Sequence, residues 1–328
     1  MSNTETARRP NNALKTTLGA IAILAGLGLM VFGLPNFSGH GLNYEKLAEL
    51  KAGEAGFPDI RGAYPVESLA RYRIGRESAG VELNVAHYQD GQAASAIVFP
   101  PVAQGQGEAG LRHDLWQAAA EAIQKHTGQD ALFLAWWDDA QRVRFLTGRK
   151  PWLDLPVASA FPDKQQQTFW RQAGGGFAED ASRLKQLARW LAMDADAALA
   201  DMDRVLPKGQ PVYWLLCLDD LARLSEIEAL SGVKLPFEAR VFPQADNIHA
   251  QIAEVKRWAG ETGLDAYLVQ QLPGGGARVW RITTEAGVKT LLARLLPFTT
   301  SLAQPLERQS LVYQSGWGGY LSVYQWQR

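Results

Sequence analysis

A stretch of nineteen residues without a charged side chain lies near the start of the chain, from Thr16 to Leu34. A helix rises about 1.5 Å per residue, so a helix of this length just crosses a hydrocarbon core of about 30 Å. The stretch therefore predicts a single transmembrane helix over residues 16–34. It is longer than the apolar core of a usual signal peptide, and no A-x-A cleavage site follows it, which favours an anchor over a cleaved signal.

The basic residues around this span indicate its orientation. Arg8, Arg9 and Lys15 precede it, whereas residues 35–44 carry no charge. Positive residues flank the cytoplasmic side of membrane helices, so residues 1–15 are predicted to be a cytoplasmic tail. The prediction is a single-pass inner-membrane protein with the bulk of its chain in the periplasm.

Small residues recur along one face of the predicted span. They are Gly19, Ala22, Gly26 and Gly33. Such a stripe lets a second helix approach closely, which would allow a homodimer in the lipid bilayer. The alternative is that Gly and Ala are simply common in membrane helices, and this alternative is favoured.

The composition limits the classes of protein that the chain can belong to. Hydrophobic residues make up 47% and charged residues 20%, which excludes a disordered chain and allows a sizeable core. Lys and Arg number 33 against 34 Asp and Glu, a balance that argues against nucleic-acid binding. The single cysteine, Cys217, excludes an intrachain disulfide, a cysteine-based zinc site and a covalently attached c-type haem. It is interpreted as an inert thiol in the core.

The chain after the predicted span falls into a stalk and a folded part. Residues 35–62 are predicted to be a stalk with one short helix at 44–51, and residues 63–328 a periplasmic domain that is either single or divided into two lobes near residue 207. Apolar alternation and turn signals predict strands at 81–85, 94–99, 131–136, 212–218, 239–242, 267–272, 278–283, 311–314 and 320–326. Helical periodicity predicts helices at 111–126, 138–147, 179–205, 221–231, 247–261 and 285–296. Strands separated by helices predict an α/β fold with a mixed, partly parallel sheet and helices packed on it.

Paired acids follow two of the buried strands. Asp138 and Asp139 come after the strand at 131–136, and Asp219 and Asp220 after the strand at 212–218. Ligands gather at the carboxyl ends of strands in α/β sheets, so these carboxylates are candidates for metal binding or acid–base chemistry. The favoured alternative is that each Asp caps the N-terminus of the following helix.

Aromatic residues beside the first pair of acids suggest a contact surface. Trp136 and Trp137 precede Asp138 directly and would form a binding platform next to it. The candidate binding surface consists of Trp136, Trp137, Asp138, Asp139, Asp219 and Trp317. No catalytic, cofactor-binding or metal-binding residue is predicted.

Other motifs carry little chemistry. Residues 105–110 fit G-x-G-x-x-G, a pattern that can cradle a pyrophosphate, but the glycines lie too far from the preceding strand and a flexible loop is favoured. The five histidines show no H-x-x-x-H or H-E-x-x-H spacing, and no G-x-S-x-G motif occurs. The sequence therefore predicts neither a cofactor nor a metal.

Several stretches resemble a known family. These stretches are residues 130–138, 145–149, 173–180, 241–247 and 317–320. Together with the single N-terminal span, they are similar to the hydroxylamine oxidation protein HaoB, which is encoded beside the multihaem hydroxylamine oxidoreductase. The resemblance implies a membrane-anchored periplasmic accessory protein that binds, assembles or docks hydroxylamine oxidoreductase or its c-type cytochrome partners. It implies no catalytic residues.

A weaker resemblance leaves a second function open. Residues 136–138 are similar to the W-W-D motif of oligosaccharyltransferase catalytic subunits, without the Tyr-Gly that follows it there. This resemblance implies only a similar α/β exported domain. The alternative function is a membrane-tethered enzyme acting on a glycan or small anionic substrate through Asp138, Asp139 and Asp219. It predicts that these carboxylates converge in one cleft.

Overall fold

The computed structural model describes residues 43–75, 81–91, 93–98, 108–161, 164–272 and 276–328. The predicted transmembrane helix at 16–34, its stripe of small residues and residues 105–107 of the glycine-rich stretch at 105–110 lie outside these residues. In the part of the chain that is described, no helix has the length and apolar character needed to cross a membrane.

The described strands belong to three sheets. In chain order they are β1 (Asn43–Lys51), β2 (Val66–Gly75), β3 (Val81–Gln89), β4 (Ala93–Val98), β5 (Leu132–Leu134), β6 (Lys150–Pro151), β7 (Val212–Cys217), β8 (Phe237–Phe242), β9 (Tyr267–Gln271), β10 (Ala277–Ile282), β11 (Gln309–Gln314) and β12 (Leu321–Trp326). Among the described residues they form a four-stranded, a three-stranded and a five-stranded sheet.

The helices connect strands both within these sheets and between them. They are α1 (Glu108–His126), α2 (Trp137–Thr147), α3 (Lys164–Ala173), α4 (Ser182–Ala192), α5 (Ala195–Val205), α6 (Leu224–Ser231), α7 (Ile248–Gly260), α8 (Glu285–Val288), α9 (Leu291–Leu295), α10 (Thr299–Ala303) and α11 (Gly316–Gly319). Short 3-10 helices occupy Ala158–Ala160 and Leu218–Arg223. The predicted ends of two helices are confirmed, because α2 and α6 stop at Gly148 and Gly232, both in the left-handed conformation that glycine favours.

The five-stranded sheet confirms the predicted mixed, partly parallel arrangement. Its strand order is β11-β12-β7-β5-β6, with β5 parallel to both β7 and β6 and with β12 antiparallel to β7. Every residue of β7 is buried, as expected for a continuous apolar strand covered on both faces. Because β5 and β7 run in the same direction side by side, their carboxyl ends lie at the same edge of the sheet.

The four-stranded sheet is antiparallel and has the order β1-β2-β3-β4. The predicted hairpin at Asp90-Gly91 is confirmed, since β3 pairs with β4 across it. The predicted helix at 44–51 is wrong: these residues belong to β1, which pairs with β2 from Asn43–Gly75 onward. Its spacing of leucines is locally compatible with a helix, but backbone hydrogen bonds to β2 stabilise the extended form. Strand β1 lies in the predicted stalk and β2 in the predicted periplasmic domain, so their pairing crosses the predicted boundary at residue 62. The division into domains stays a prediction.

Two predicted long helices are each broken, and the two breaks contact each other. The predicted helix at 179–205 is the pair α4 and α5, and the predicted helix at 285–296 is the pair α8 and α9. Asp194 and Thr290 form an isolated antiparallel bridge at the breaks. The Leu291 N–H donates to Met193 O at 2.8 Å, and the Ala195 N–H donates to Lys289 O at 2.8 Å. These long-range backbone hydrogen bonds replace the helical ones, which helical periodicity cannot reveal.

The three-stranded sheet, in the order β8-β10-β9, is covered on one face by α7. Val255 and Trp258 of α7 pack against Phe242 and Val279. The first turns of α7 extend beyond this contact, so that Ile248 and Ile252 are 64% and 46% exposed.

Candidate functional site

Arg223 lies in the protein interior between three carboxylates. Its Nη2 donates to Asp138 Oδ2 at 2.5 Å, and its Nη1 donates to Asp139 Oδ2 at 2.9 Å and to Asp220 Oδ1 at 2.6 Å. None of these four side chains is more than 2% exposed. The acids that the sequence places after two strands are therefore joined by a guanidinium group.

The strand arrangement explains why these residues meet. Asp138 and Asp139 lie in the first turn of α2, directly after β5, and Asp220 lies in the 3-10 helix directly after β7. Because the carboxyl ends of these neighbouring parallel strands coincide, the two acidic turns face each other. The 3-10 helix ends at Arg223, which places its side chain between the two turns.

Arg142 and Cys217 complete the contacts of Asp139. Arg142 Nη1 donates to Asp139 Oδ1 at 2.5 Å, and the Cys217 thiol lies 3.1 Å from Asp139 Oδ2. The Cys217 backbone N–H donates to Asp220 Oδ2 at 2.9 Å. The predicted burial of Cys217 is confirmed, but its thiol has polar partners that the prediction of an inert apolar environment missed.

Glu226 extends this group and was not singled out in the sequence. It lies on α6, is 3% exposed and accepts a hydrogen bond from Trp136 Nε1 at 2.9 Å. Glu226 is about 100° around the helix from Ile227 and lies outside the predicted apolar face, so the helical spacing gave no signal that this carboxyl is buried. Together these residues form one buried group, the charge cluster, which consists of Asp138, Asp139, Arg142, Cys217, Asp220, Arg223 and Glu226.

Burial and the arginines shift the pKa values of the cluster in different directions. Burial raises the pKa of Asp220 to about 7 and that of Glu226 to about 8, against the opposing effect of Arg223. Burial also acts to raise the pKa of Asp139, but Arg223 and Arg142 outweigh it and hold that pKa below its usual range. The pKa of Cys217 is raised well above its usual value by burial and by the neighbouring carboxylates.

The charge cluster does not fit a metal ion. Ligand atoms of Asp139, Cys217 and Asp220 lie within 4.8 Å of one another, which is a suitable spacing for a metal. However, Arg223 Nη1 already contacts both carboxylates and lies 3.9 Å from the Cys217 sulfur. A guanidinium group therefore supplies the positive charge that a metal ion would bring.

The predicted binding platform is wrong. Trp136 and Trp137 are 2% and 0% exposed. Trp137 packs edge-to-face on Trp170, with ring centroids 4.8 Å apart. Both indole rings belong to the core because the turn between β5 and α2 is covered by α3 and α6.

The remaining candidate residues lie in separate positions. Asp219 is buried and accepts a hydrogen bond from the Tyr320 hydroxyl at 2.5 Å. Trp317 lies in α11, and its side chain is outside what the structure describes.

The predicted capping role is wrong for Asp138 and Asp139, which bind arginines instead of backbone N–H groups.

The carboxylates of the alternative enzyme hypothesis do not line an open cleft. Asp138 and Asp139 converge as that hypothesis requires, but they are 0% exposed and Asp219 is 4% exposed. A groove of about 660 Å³ lies elsewhere, beside the edge strand β6. Arg144 in this groove pairs with Asp90 and Asp154.

The fold and the site define a mixed α/β protein with one cluster of charged side chains buried in its core. The chain belongs to the family described as HaoA-associated protein HaoB, which it matches over residues 11–326. This match confirms the resemblance seen in the sequence. No curated protein matches the chain. Among solved structures, the C-terminal domain of C. jejuni PglB is similar at 13% identity with a TM-score of 0.39, covering 65% of this chain and 99% of that chain.

Proposed function

We propose that this protein is a membrane-anchored, non-catalytic accessory protein that binds hydroxylamine oxidoreductase (HaoA) on the periplasmic side and docks or assembles it there. The observation that carries the proposal is the family match over residues 11–326, since this family is described as HaoA-associated. The closed charge cluster supports a non-catalytic role, because its carboxylates are bound to Arg223 and are not offered to a substrate. Electron transfer would then belong to the partner and its c-type cytochromes.

The exposed end of α7 is the contact surface that we propose to test first. Ile248 and Ile252 lie one turn apart on one helix face and are 64% and 46% exposed. Apolar side chains that continue a packed helix face into solvent are typical of protein contact sites. The partner that the family description supplies for such a site is HaoA.

Association with HaoA is testable by co-purification. The full chain, extracted from membranes in mild detergent, is expected to retain HaoA. The double variant Ile248→Asp, Ile252→Asp is expected to lose it, whereas the matched variant Leu302→Asp, which changes a residue 63% exposed on α10, is expected to keep it. If wild-type protein retains neither HaoA nor a c-type cytochrome, the proposed function is wrong.

The membrane anchor needs its own experiment. Residues 16–34 are long enough to span a bilayer, and three basic residues precede them. Wild-type protein is expected to stay with membranes during alkaline extraction, and the variant Leu24→Arg, Leu27→Arg to be released, because each arginine costs about 2.5–3.5 kcal/mol near the helix centre. Protease added to spheroplasts tests the orientation and is expected to digest the folded part. Release of wild-type protein into the soluble fraction would contradict the anchor.

A further inference from the structure

The charge cluster contains more acidic than basic groups. The carboxyls of Asp138, Asp139, Asp220 and Glu226 face the guanidinium groups of Arg142 and Arg223, and no member is more than 4% exposed. An unbalanced charge in a protein interior is strongly unfavourable, because the ion loses its hydration without gaining a partner. The excess of two negative charges is therefore best relieved by protons on two of the carboxyls.

Glu226 is the carboxyl whose surroundings stabilise a proton best. Within the described residues it forms no ion pair, and its Oε1 has no hydrogen-bond partner. Its Oε2 accepts the Trp136 indole N–H, which favours the ionised carboxyl, but this bond to a neutral donor does not outweigh the effect of burial. The other three acids of the cluster each contact Arg223 directly.

The elements packed around Glu226 offer little compensation for a negative charge. Helix α4, which packs against α6, presents apolar side chains to it, while its Arg183, Lys185 and Arg189 are exposed. The charged groups that act on Glu226 are Arg223 from the 3-10 helix and Asp138 from α2, and these oppose each other. Burial exceeds both effects and raises the pKa of Glu226 from 4.5 to about 8.

We propose that Glu226 is a pH-responsive switch in the core: its carboxyl carries a proton in the folded protein at neutral pH, and its ionisation in mildly alkaline solution loosens the contact between α6 and the start of α2. Once ionised, Glu226 is a buried anion without an ion-pair partner, near the carboxylate of Asp138. This anion is solvated only when water enters between α6 and the Trp136–Trp137 turn, so the contact between them loosens. This inference concerns the folded chain alone and does not depend on the proposed association with HaoA.

Proton linkage tests the first half of the proposal. A carboxyl whose pKa is higher in the folded state stabilises the fold fully below the pKa of the unfolded chain, and this stabilisation is lost as the pH rises to the folded value. For one such proton the unfolding constant increases up to about tenfold per pH unit between about pH 5 and pH 8. The variant Glu226→Gln is expected to lose about one proton of this linkage, whereas Glu121→Gln, at an exposed position on α1, is expected to keep the wild-type dependence.

Cys217 provides a reporter for the second half, because it is the single cysteine and lies in the cluster. At about pH 9 its modification by a thiol reagent is expected to be about tenfold faster in wild-type protein than in Glu226→Gln, and at about pH 6 the two rates are expected to agree. Equal rates at both pH values, or an unchanged pH dependence of unfolding in Glu226→Gln, would overturn the proposal.

An infrared measurement on wild-type protein keeps the test decisive if Glu226→Gln does not fold. The carbonyl stretch of a protonated carboxylic acid is expected at about pH 6 and is expected to disappear on titration to about pH 10. Burial also raises the pKa values of Asp138 and Asp220, so glutamate labelled with a heavy carbon isotope at its side-chain carboxyl distinguishes Glu226 from them: the label shifts a glutamate band and leaves the aspartate bands in place. If no label-sensitive band is present in wild-type protein at about pH 6, the Glu226 carboxyl is not protonated, and the proposal fails.

Discussion

The guanidinium group of Arg223 donates to Asp139 Oδ2 at 2.9 Å, although the two residues are 84 positions apart in the chain. This bond joins the turn after β5 to the turn after β7 across the edge of the five-stranded sheet. It connects the two halves of the sheet through charges that water does not screen, since both side chains are 1% exposed. The pair therefore contributes to the relative position of α2 and the segment that leads into α6.

Replacement of Arg223 by Met is expected to destabilise the protein by about 3–5 kcal/mol, because three buried carboxylates lose their common partner. Urea unfolding of the full chain measures this loss. Arg204→Met is the control: its guanidinium pairs with Asp201 but is 76% exposed, and the expected loss is below about 1 kcal/mol. Similar losses in the two variants would contradict the importance assigned to the buried position.

The Cys217 thiol is expected to be unreactive in the folded protein. Burial and the nearby carboxylates raise its pKa well above the usual range, so the reactive thiolate is scarce and inaccessible. A chromogenic thiol reagent at neutral pH is expected to modify the native chain far more slowly than the urea-unfolded chain. Rapid modification under native conditions would show that the charge cluster is open to solvent.

Gly174 is expected to tolerate no side chain. A Cβ at this position would lie 2.3 Å from the indole ring of Trp170, which is buried and packed against Trp137. Gly174→Ala is expected to cost about 1–3 kcal/mol in the free energy of unfolding. Gly260→Ala at the end of α7 provides the comparison, since a Cβ there has no atom within 4 Å, and its stability is expected to be unchanged or higher by up to about 1 kcal/mol.

The helix break at Asp194 depends on its side chain. Asp194 Oδ1 accepts the backbone N–H groups of Asp196 and Ala197 at 3.1 and 3.3 Å and so caps the start of α5. Asp194→Ala is expected to lower the midpoint of thermal unfolding through a loss of about 1 kcal/mol. Asp194→Asn retains the accepting oxygen and is expected to lie within a few tenths of a kcal/mol of wild type. If both variants are equally destabilised, the loss of stability does not come from the side-chain cap.

The sequence by itself determined the elements whose signals are local. The apolar runs that became β5 and β7, the Asp90-Gly91 turn, and the helix ends at Gly148 and Gly232 follow from preferences that act over a few residues. The partly parallel sheet followed from the order of these elements, because parallel strands require helical crossovers. Parallel strands also explain why the acids after β5 and β7 were sensible candidates for one site.

Only the tertiary structure decided how these elements and side chains are used. Pairing with β2 made residues 43–51 a strand, and the bridge from Asp194 to Thr290 divided two apparently continuous helices. Tertiary structure also brought Arg223 to its three carboxylates, which come from two different turns. It likewise buried Trp136 and Trp137 under helices that are distant in sequence. Sequence periodicity records which side of an element is apolar, but it does not record which remote element covers that side. Burial, and with it the protonation of Glu226 and the closure of the charge cluster, arises from those remote contacts.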